Sequence, residues 1–185
     1  MGIHNELDLL IPKLRKRVEK TFKALEKKDI LVLVSETLRD TEVQQAYYAQ
    51  GRKSLEEVNA LRAKAGLYLL TEAENNKTIT NCDGVTSKSN HQARDESGLG
   101  YAIDIVPAKF NARGYRDFWW TAPHEVWEEI GKIAEENGLD WCYGGKGNRW
   151  GWDEPHFELL EGFVDEDEQP TLFDNIVEEN EKKKG

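Results

Sequence analysis

An aspartate stands in the middle of an apolar strand pattern, and no other position limits the fold of this chain as strongly. In Tyr101-Ala102-Ile103-Asp104-Ile105-Val106, alternation puts Ala102, Asp104 and Val106 on one face and Tyr101, Ile103 and Ile105 on the other. A carboxylate between apolar neighbours is costly to bury unless a counter-charge or a metal ion meets it. Ala102 beside it leaves room for such a partner. The strand therefore belongs to a sheet with one polar centre, and the rest of that centre has to come from elsewhere in the chain.

Two segments can supply it. The stretch Ser87 to Pro107 (SKSNHQARDESGLGYAIDIVP) holds His91 ahead of Asp104, and Trp152-Asp153-Glu154-Pro155-His156-Phe157-Glu158 holds His156. Two imidazoles and a carboxylate suit a single catalytic zinc ion, which takes three protein ligands, keeps one position open and works with a base nearby. Taken singly, each has a plainer reading: a loop histidine, a salt-bridging acid, a satisfied core histidine. Together they favour a metal site. Asp153 and Glu154 both precede His156, and either carboxylate suits proton transfer. Strand parity puts Glu154 on the face of His156, but Pro155 interrupts the parity, so the residues alone leave the base open.

Composition narrows the class. The chain has 185 residues, 38% of them hydrophobic, enough for one domain with a real core. Mean hydropathy is −0.72, and no run approaches the roughly 18 apolar residues of a membrane span. The N-terminal residues lack the apolar stretch of a signal peptide, so synthesis in the cytoplasm is expected. Cys82 and Cys142 are too few for a disulfide framework. The net charge of −10 argues against nucleic acid as a partner. Half of that excess falls in residues 165–185, which read as an acidic, loosely ordered tail after a single domain over 1–164.

In chain order, residues 5–28 read as a basic amphipathic helix with Asn5 as N-cap and Pro12 at a kink or a second start. Ile30–Val34 reads as a buried strand. Thr41 with Gln44, and Ser54 with Glu57, form capping boxes that open two helices. Residues 71–77 read as a polar connection and Thr78–Cys82 as a weak strand. The central strand is expected to stop at Pro107. A helix from Pro123 to Asn137 and strands at Leu139–Tyr143 and His156–Leu160 follow. Trp119, Trp120, Trp127 and Trp141 read as core. Trp150 and Trp152 read as groove residues, and His124 as a surface group. This mix predicts α+β: a small antiparallel sheet carrying the zinc site, packed against several helices.

The motifs also resemble a known family. Ser89-Asn90-His91, Gly100-Tyr101-Ala102-Ile103-Asp104 and Asp153-Glu154-Pro155-His156-Phe157-Glu158 resemble the S-x-H, G-x-A-x-D and D-x-P-H-F-E signatures of the M15 zinc peptidases. These include VanY/VanX-like D,D-carboxypeptidases and dipeptidases, and endolysin-type L-alanyl-D-glutamate peptidases. Arg39-Asp40-Thr41, Gln44, Tyr48 and Gln50-Gly51-Arg52 resemble a stretch of the endolysin branch. The likeness implies a hedgehog/D,D-peptidase-like fold with zinc on His91, Asp104 and His156. It implies Asp153 as general base, with Glu154 as the alternative, and Arg39 facing the substrate carbonyl or oxyanion. Gln44, Ser89 and Trp152 would touch substrate or brace the groups that do. One departure stands out: six extra residues separate His91 from Asp104, and they read as a solvated loop extension.

The function expected on this basis is hydrolysis of a peptidoglycan stem-peptide amide, L-Ala-D-Glu first, by a monomeric phage-type endolysin. It would reach the wall by holin-type export or lysis. A D,D-carboxypeptidase or dipeptidase is the enzymatic alternative. A non-catalytic wall-binding or phage-structural module is the alternative of another class.

Overall fold

Pro12 decides how the N-terminal segment folds. In the computed structural model, which describes residues 3–146 and 151–164, it opens helix α1 (Pro12–Glu26) at the position where a missing N–H costs nothing. Asn5 caps no helix, because residues Leu7–Leu9 form a separate 3-10 turn. Leu14, Val18 and Leu25 are fully buried on one side of α1, each contributing roughly 1.5–3 kcal/mol over its exposed state. The basic face is not wholly solvated: Arg17 is also buried and lies over the Phe163 ring at 4.7 Å. Trp150 and the acidic segment 165–185 lie outside the described residues.

The fold is α+β. Strands β1 (Val32–Glu36), β2 (Ala102–Phe110), β4 (Leu139–Trp141) and β5 (His156–Leu159) form an antiparallel sheet in the order β1-β2-β5-β4. The short strand β3 (Arg116–Phe118) pairs with the far end of β2. Ile103, Ile105 and Phe157 of the sheet pack with α1 and with Trp127, Ile130 and Ile133 of α5 (His124–Glu136). That core occupies the face opposite Asp104. Helices α2 (Thr41–Ala49) and α3 (Leu55–Lys64) pack on each other through Val43, Ala46, Val58 and their neighbours.

Several local expectations change. Strand β2 runs through Pro107, whose missing donor falls between the β5 pairing at Ala102–Asp104 and the β3 pairing at Ala108–Phe110. Only its carbonyl is used there, by the Trp119 N–H at 2.7 Å. The segment Phe110–Trp120 is thus a hairpin arm, and Trp120 at its end is 56% exposed rather than core. Residues 78–82 form no strand. The box at Ser54 and Glu57 is present, whereas Thr41 makes none with Gln44. A box at Thr71 and Glu74 opens a further short helix, α4 (Glu72–Asn75), where a plain connection was expected. None of the helices among the described residues is long and apolar enough to cross a membrane.

The N-terminal residues bind across the loops that carry the polar centre. The His4 carbonyl accepts from the Thr37 N–H at 2.7 Å and from its hydroxyl at 3.0 Å, which ties down this end of the described chain. The Gly100 N–H donates to the Leu9 carbonyl at 2.8 Å, and the Ile11 N–H donates to the Gly100 carbonyl at 3.1 Å.

Candidate metal centre

Register across three strands sets the centre side by side. Asp104 of β2 pairs with His156 of β5 on one flank and with Glu36 of β1 on the other. The second pairing depends on a bulge. Val34 pairs with Ile105 but Glu36 with Asp104, so Ser35 is an extra residue that turns Glu36, not itself, toward the centre.

His91 comes from the long loop before β2 and completes a triangle. His91 Nε2, His156 Nδ1 and Asp104 Oδ1 lie 3.1 Å from one another along all three edges. Bonds of about 2.0–2.1 Å to a tetrahedral zinc would set ligand atoms about 3.3 Å apart, so the triangle has the right size. The outer nitrogens agree. His91 Nδ1 lies 3.1 Å from the Thr37 carbonyl and His156 Nε2 lies 3.1 Å from Glu158 Oε1, acceptors that require the proton on those atoms. Each ring then turns a bare lone pair inward, onto the carboxylate oxygen. Three acceptors converging at that distance repel unless a cation or a proton lies among them.

Charge points the same way. Among the described residues, Glu36, Asp104, Asp153 and Glu158 face this region against the fixed positive charge of Arg39. Burial alone would raise the Asp104 carboxyl, but the charge and hydrogen bonds of His91 and His156 hold it well below the usual range. Burial would lower His156, yet its bonds to Asp104 and Glu158 push it up to about 10. Without a metal, then, the proton sits on His156. Chelator-treated protein should consequently lose stability as pH rises. The folded value of His156 lies above its unfolded value of 6.5, so its contribution is complete below pH 6.5 and lost on the way to about 10. Thermal melts between pH 6 and 10 check this. Added zinc should flatten the curve, and melting points that rise with pH in the chelated protein would contradict it.

A second cluster shares His156: Cys142, His156 and Glu158 all bring ligand atoms within 4.8 Å of one another. Its geometry is that of a hydrogen-bonded shell. Glu158 Oε1 already accepts from His156 and, at 2.6 Å, from the Asn90 amide.

Arg39 flanks the triangle. Glu36 takes its Nε and Nη2 protons at 2.6 and 2.5 Å, and Gln44 Oε1 takes one from Nη1 at 2.8 Å. Two of the five N–H groups remain for a ligand. Gln44 is held by the Cys82 carbonyl at 2.7 Å and by Thr80 at 3.1 Å, which is why its side chain is not spent on a cap. Tyr47 packs 4.9 Å beneath the guanidinium, and burial, with Glu36 nearby, pushes its hydroxyl up to about 12. Glu36→Gln would leave the buried Arg39 short of its counter-charge, at a cost of about 2–3 kcal/mol. A denaturant titration reads this as a lower midpoint, and an unchanged midpoint would remove Glu36 from the network.

Asp153 is half-buried, and its carboxyl is raised above the ordinary range by burial and then by Asp104, against the pull of His156, His91 and Arg39. Glu154 instead meets His124 Nδ1 at 2.8 Å. The Ser89 hydroxyl accepts from the His91 N–H at 3.3 Å and so shapes the turn that carries the ring. Trp152 is 58% exposed beside Asp153. Asp95 and Glu96 of the loop extension are exposed, and Asp95 is bonded to Ser97 and Tyr101. Gly100 is required by contact: a Cβ there would lie 2.7 Å from the Thr37 carbonyl that His91 leans on. Glu36, Asn90, Thr37 and His124 are the partners that sequence reasoning did not assign. An acid closing an apolar strand was the one available signal, and it pointed to Glu36 alone. A groove of about 900 Å³ lined by Phe22, Ile30, Val32, Phe110 and Arg116 lies at the C-terminal end of α1 and shares none of these residues.

No protein-family model and no curated protein matches the chain. Among solved structures it is similar to a zinc complex of the vancomycin-resistance D,D-pentapeptidase VanY from a VanB-type cassette. That likeness has 17% identity, a TM-score of 0.47 and coverage of 82% of this chain and 72% of the other. VanYB in complex with D-alanine-D-alanine gives 18% identity and a TM-score of 0.47, over 82% of this chain and 71% of the other. The LdcB LD-carboxypeptidase gives 9% and 0.43, over 93% of this chain and 64% of the other.

Proposed function

We propose that the chain is a zinc-dependent peptidase of peptidoglycan stem peptides, with one ion held by His91, Asp104 and His156. The convergence of three lone pairs at 3.1 Å, with both outer imidazole nitrogens bonded to acceptors, carries this reading. Zinc in such a place supplies Lewis acidity and lowers the pKa of water toward ~7. Asp153, raised by its surroundings, takes a proton from the attacking water and returns it to the leaving amine. Arg39, fixed by Glu36 and Gln44, offers its remaining N–H groups to the oxygen that gains charge. Trp152 supplies an exposed ring for the peptide chain, and Ser89 fixes the His91 turn.

The substrate class rests on the motif set around these residues, whose resemblance reaches from about Ile30 to Leu160. It favours cleavage within the stem, L-Ala-D-Glu first, by an endolysin-type enzyme acting as a monomer once it reaches the wall. A D,D-carboxypeptidase is the second reading, because a fixed guanidinium with two open donors also suits a terminal carboxylate. Mass spectrometry of fragments released from defined peptidoglycan separates the two: a cut between the first two stem residues, or loss of the terminal D-alanine. Release should stop with a chelator and return with zinc. Release that ignores the chelator would overturn the metal reading, and no release from any wall would leave a binding module.

A further inference from the structure

His124 opens α5 and lies in neither motif, yet it is tied to the turn that carries Asp153 and His156. Its Nδ1 meets Glu154 Oε1 at 2.8 Å, while the Trp141 indole N–H donates to the Glu154 carbonyl at 2.7 Å. Trp141 stacks on Tyr143 with centroids 5.3 Å apart, and the His124 ring sits 5.1 Å from Tyr143. Glu154 is therefore held by its side chain from α5 and by its backbone from β4. On either side of it, the Asp153 carbonyl accepts from the His156 N–H at 3.3 Å and the Pro155 carbonyl from the Ile105 N–H at 2.8 Å.

A lone surface ion pair would contribute little. Here the gripped residue sits between a half-buried acid at the centre and the strand bearing His156, so a slack contact shifts Asp153 directly. Among the described residues, the charged groups facing His124 are all acids. Glu154 comes from the turn, Glu128 at 3.6 Å and Glu125 come from α5 itself, and Trp141 of β4 and Tyr143 after it contribute rings. Glu154 first, then the other acids, raise the imidazole above its ordinary value against the effect of burial.

We infer that His124 is a positioning residue: it latches the Glu154 turn so that the Asp153 carboxylate is aimed at the metal centre. The inference rests on the assignment of Asp153 as base made above. The test uses the full chain loaded with zinc and compares His124→Phe with His124→Asn, whose amide N–H can stand in for Nδ1–H. The phenylalanine variant should lose about tenfold in kcat, as expected for a misaimed group, with KM and bound zinc unchanged. Amide exchange at residues 153–157 should quicken while that of α5 does not. The asparagine variant should recover most of both losses. Glu154→Gln combined with His124→Phe should be no worse than the phenylalanine change alone. Wild-type exchange at 153–157 in His124→Phe, or equal losses in both His124 variants, would overturn the latch. If the parent releases no peptide in a zinc-dependent way, the functional reading fails, and the exchange measurement still decides the latch.

Discussion

Asp153→Asn is expected to keep the zinc content of the parent protein while cutting turnover of a stem peptide by about 10²–10⁴-fold, the usual contribution of a placed general base. The substitution keeps shape and removes only the proton acceptor. It also relieves a half-buried charge held near Asp104, so the fold should be no less stable than the parent. The pH profile gives a second check. Asp153 works as a base only when ionised; burial and Asp104 push its carboxyl up, and a bound zinc ion would pull it down. Activity should therefore fall on the acid limb of kcat/KM as Asp153 takes up its proton. Near-native turnover in Asp153→Asn would move the base elsewhere. Glu154 would then be the candidate, although its carboxylate is engaged by His124.

His156→Ala should abolish both zinc binding and turnover. The imidazole touches both the inner carboxylate and the outer one, through Nδ1 to Asp104 and Nε2 to Glu158. Its removal leaves a buried and a partly buried acid without that partner, and loss of one member of such a network costs about 3–5 kcal/mol. Metal analysis beside a thermal melt separates the effects, and His156→Gln keeps a polar group there in case the alanine variant fails to fold. Retained zinc in either variant would sink the three-ligand assignment. The pair of results is diagnostic: metal kept and turnover lost at Asp153, both lost at His156.

The triad was legible because its cues are local. An acid inside an apolar run, a histidine behind a proline and a histidine ahead of a glycine-rich turn can each be seen without knowing what lies next to them. The α+β class followed from helix and strand patterns that did not alternate regularly. What escaped reading depends on registry and on contacts across the chain. Glu36 reaches the centre only through the extra residue Ser35, and nothing in VLVSE marks a bulge. Gln44 satisfies a capping pattern but spends its amide on Arg39, Thr80 and Cys82, a tertiary bond outweighing a local one. Pro107 normally ends a strand, and only the gap between two pairing partners lets β2 pass through it. His124 lies thirty positions from the carboxylate it grips.

The opening residues of the described chain act as a tie-rod. His4 anchors one end on Thr37, and Leu9 and Ile11 clasp Gly100 at the other, while Thr37 and Gly100 both bear on the backbone that seats the His91 ring. A change near Ile3 or Leu9 would thus be transmitted to the His91 ring some eighty positions later without touching it. Purification tags joined closely to this stretch, or trimming into it, should register as weakened zinc affinity before any loss of helix content.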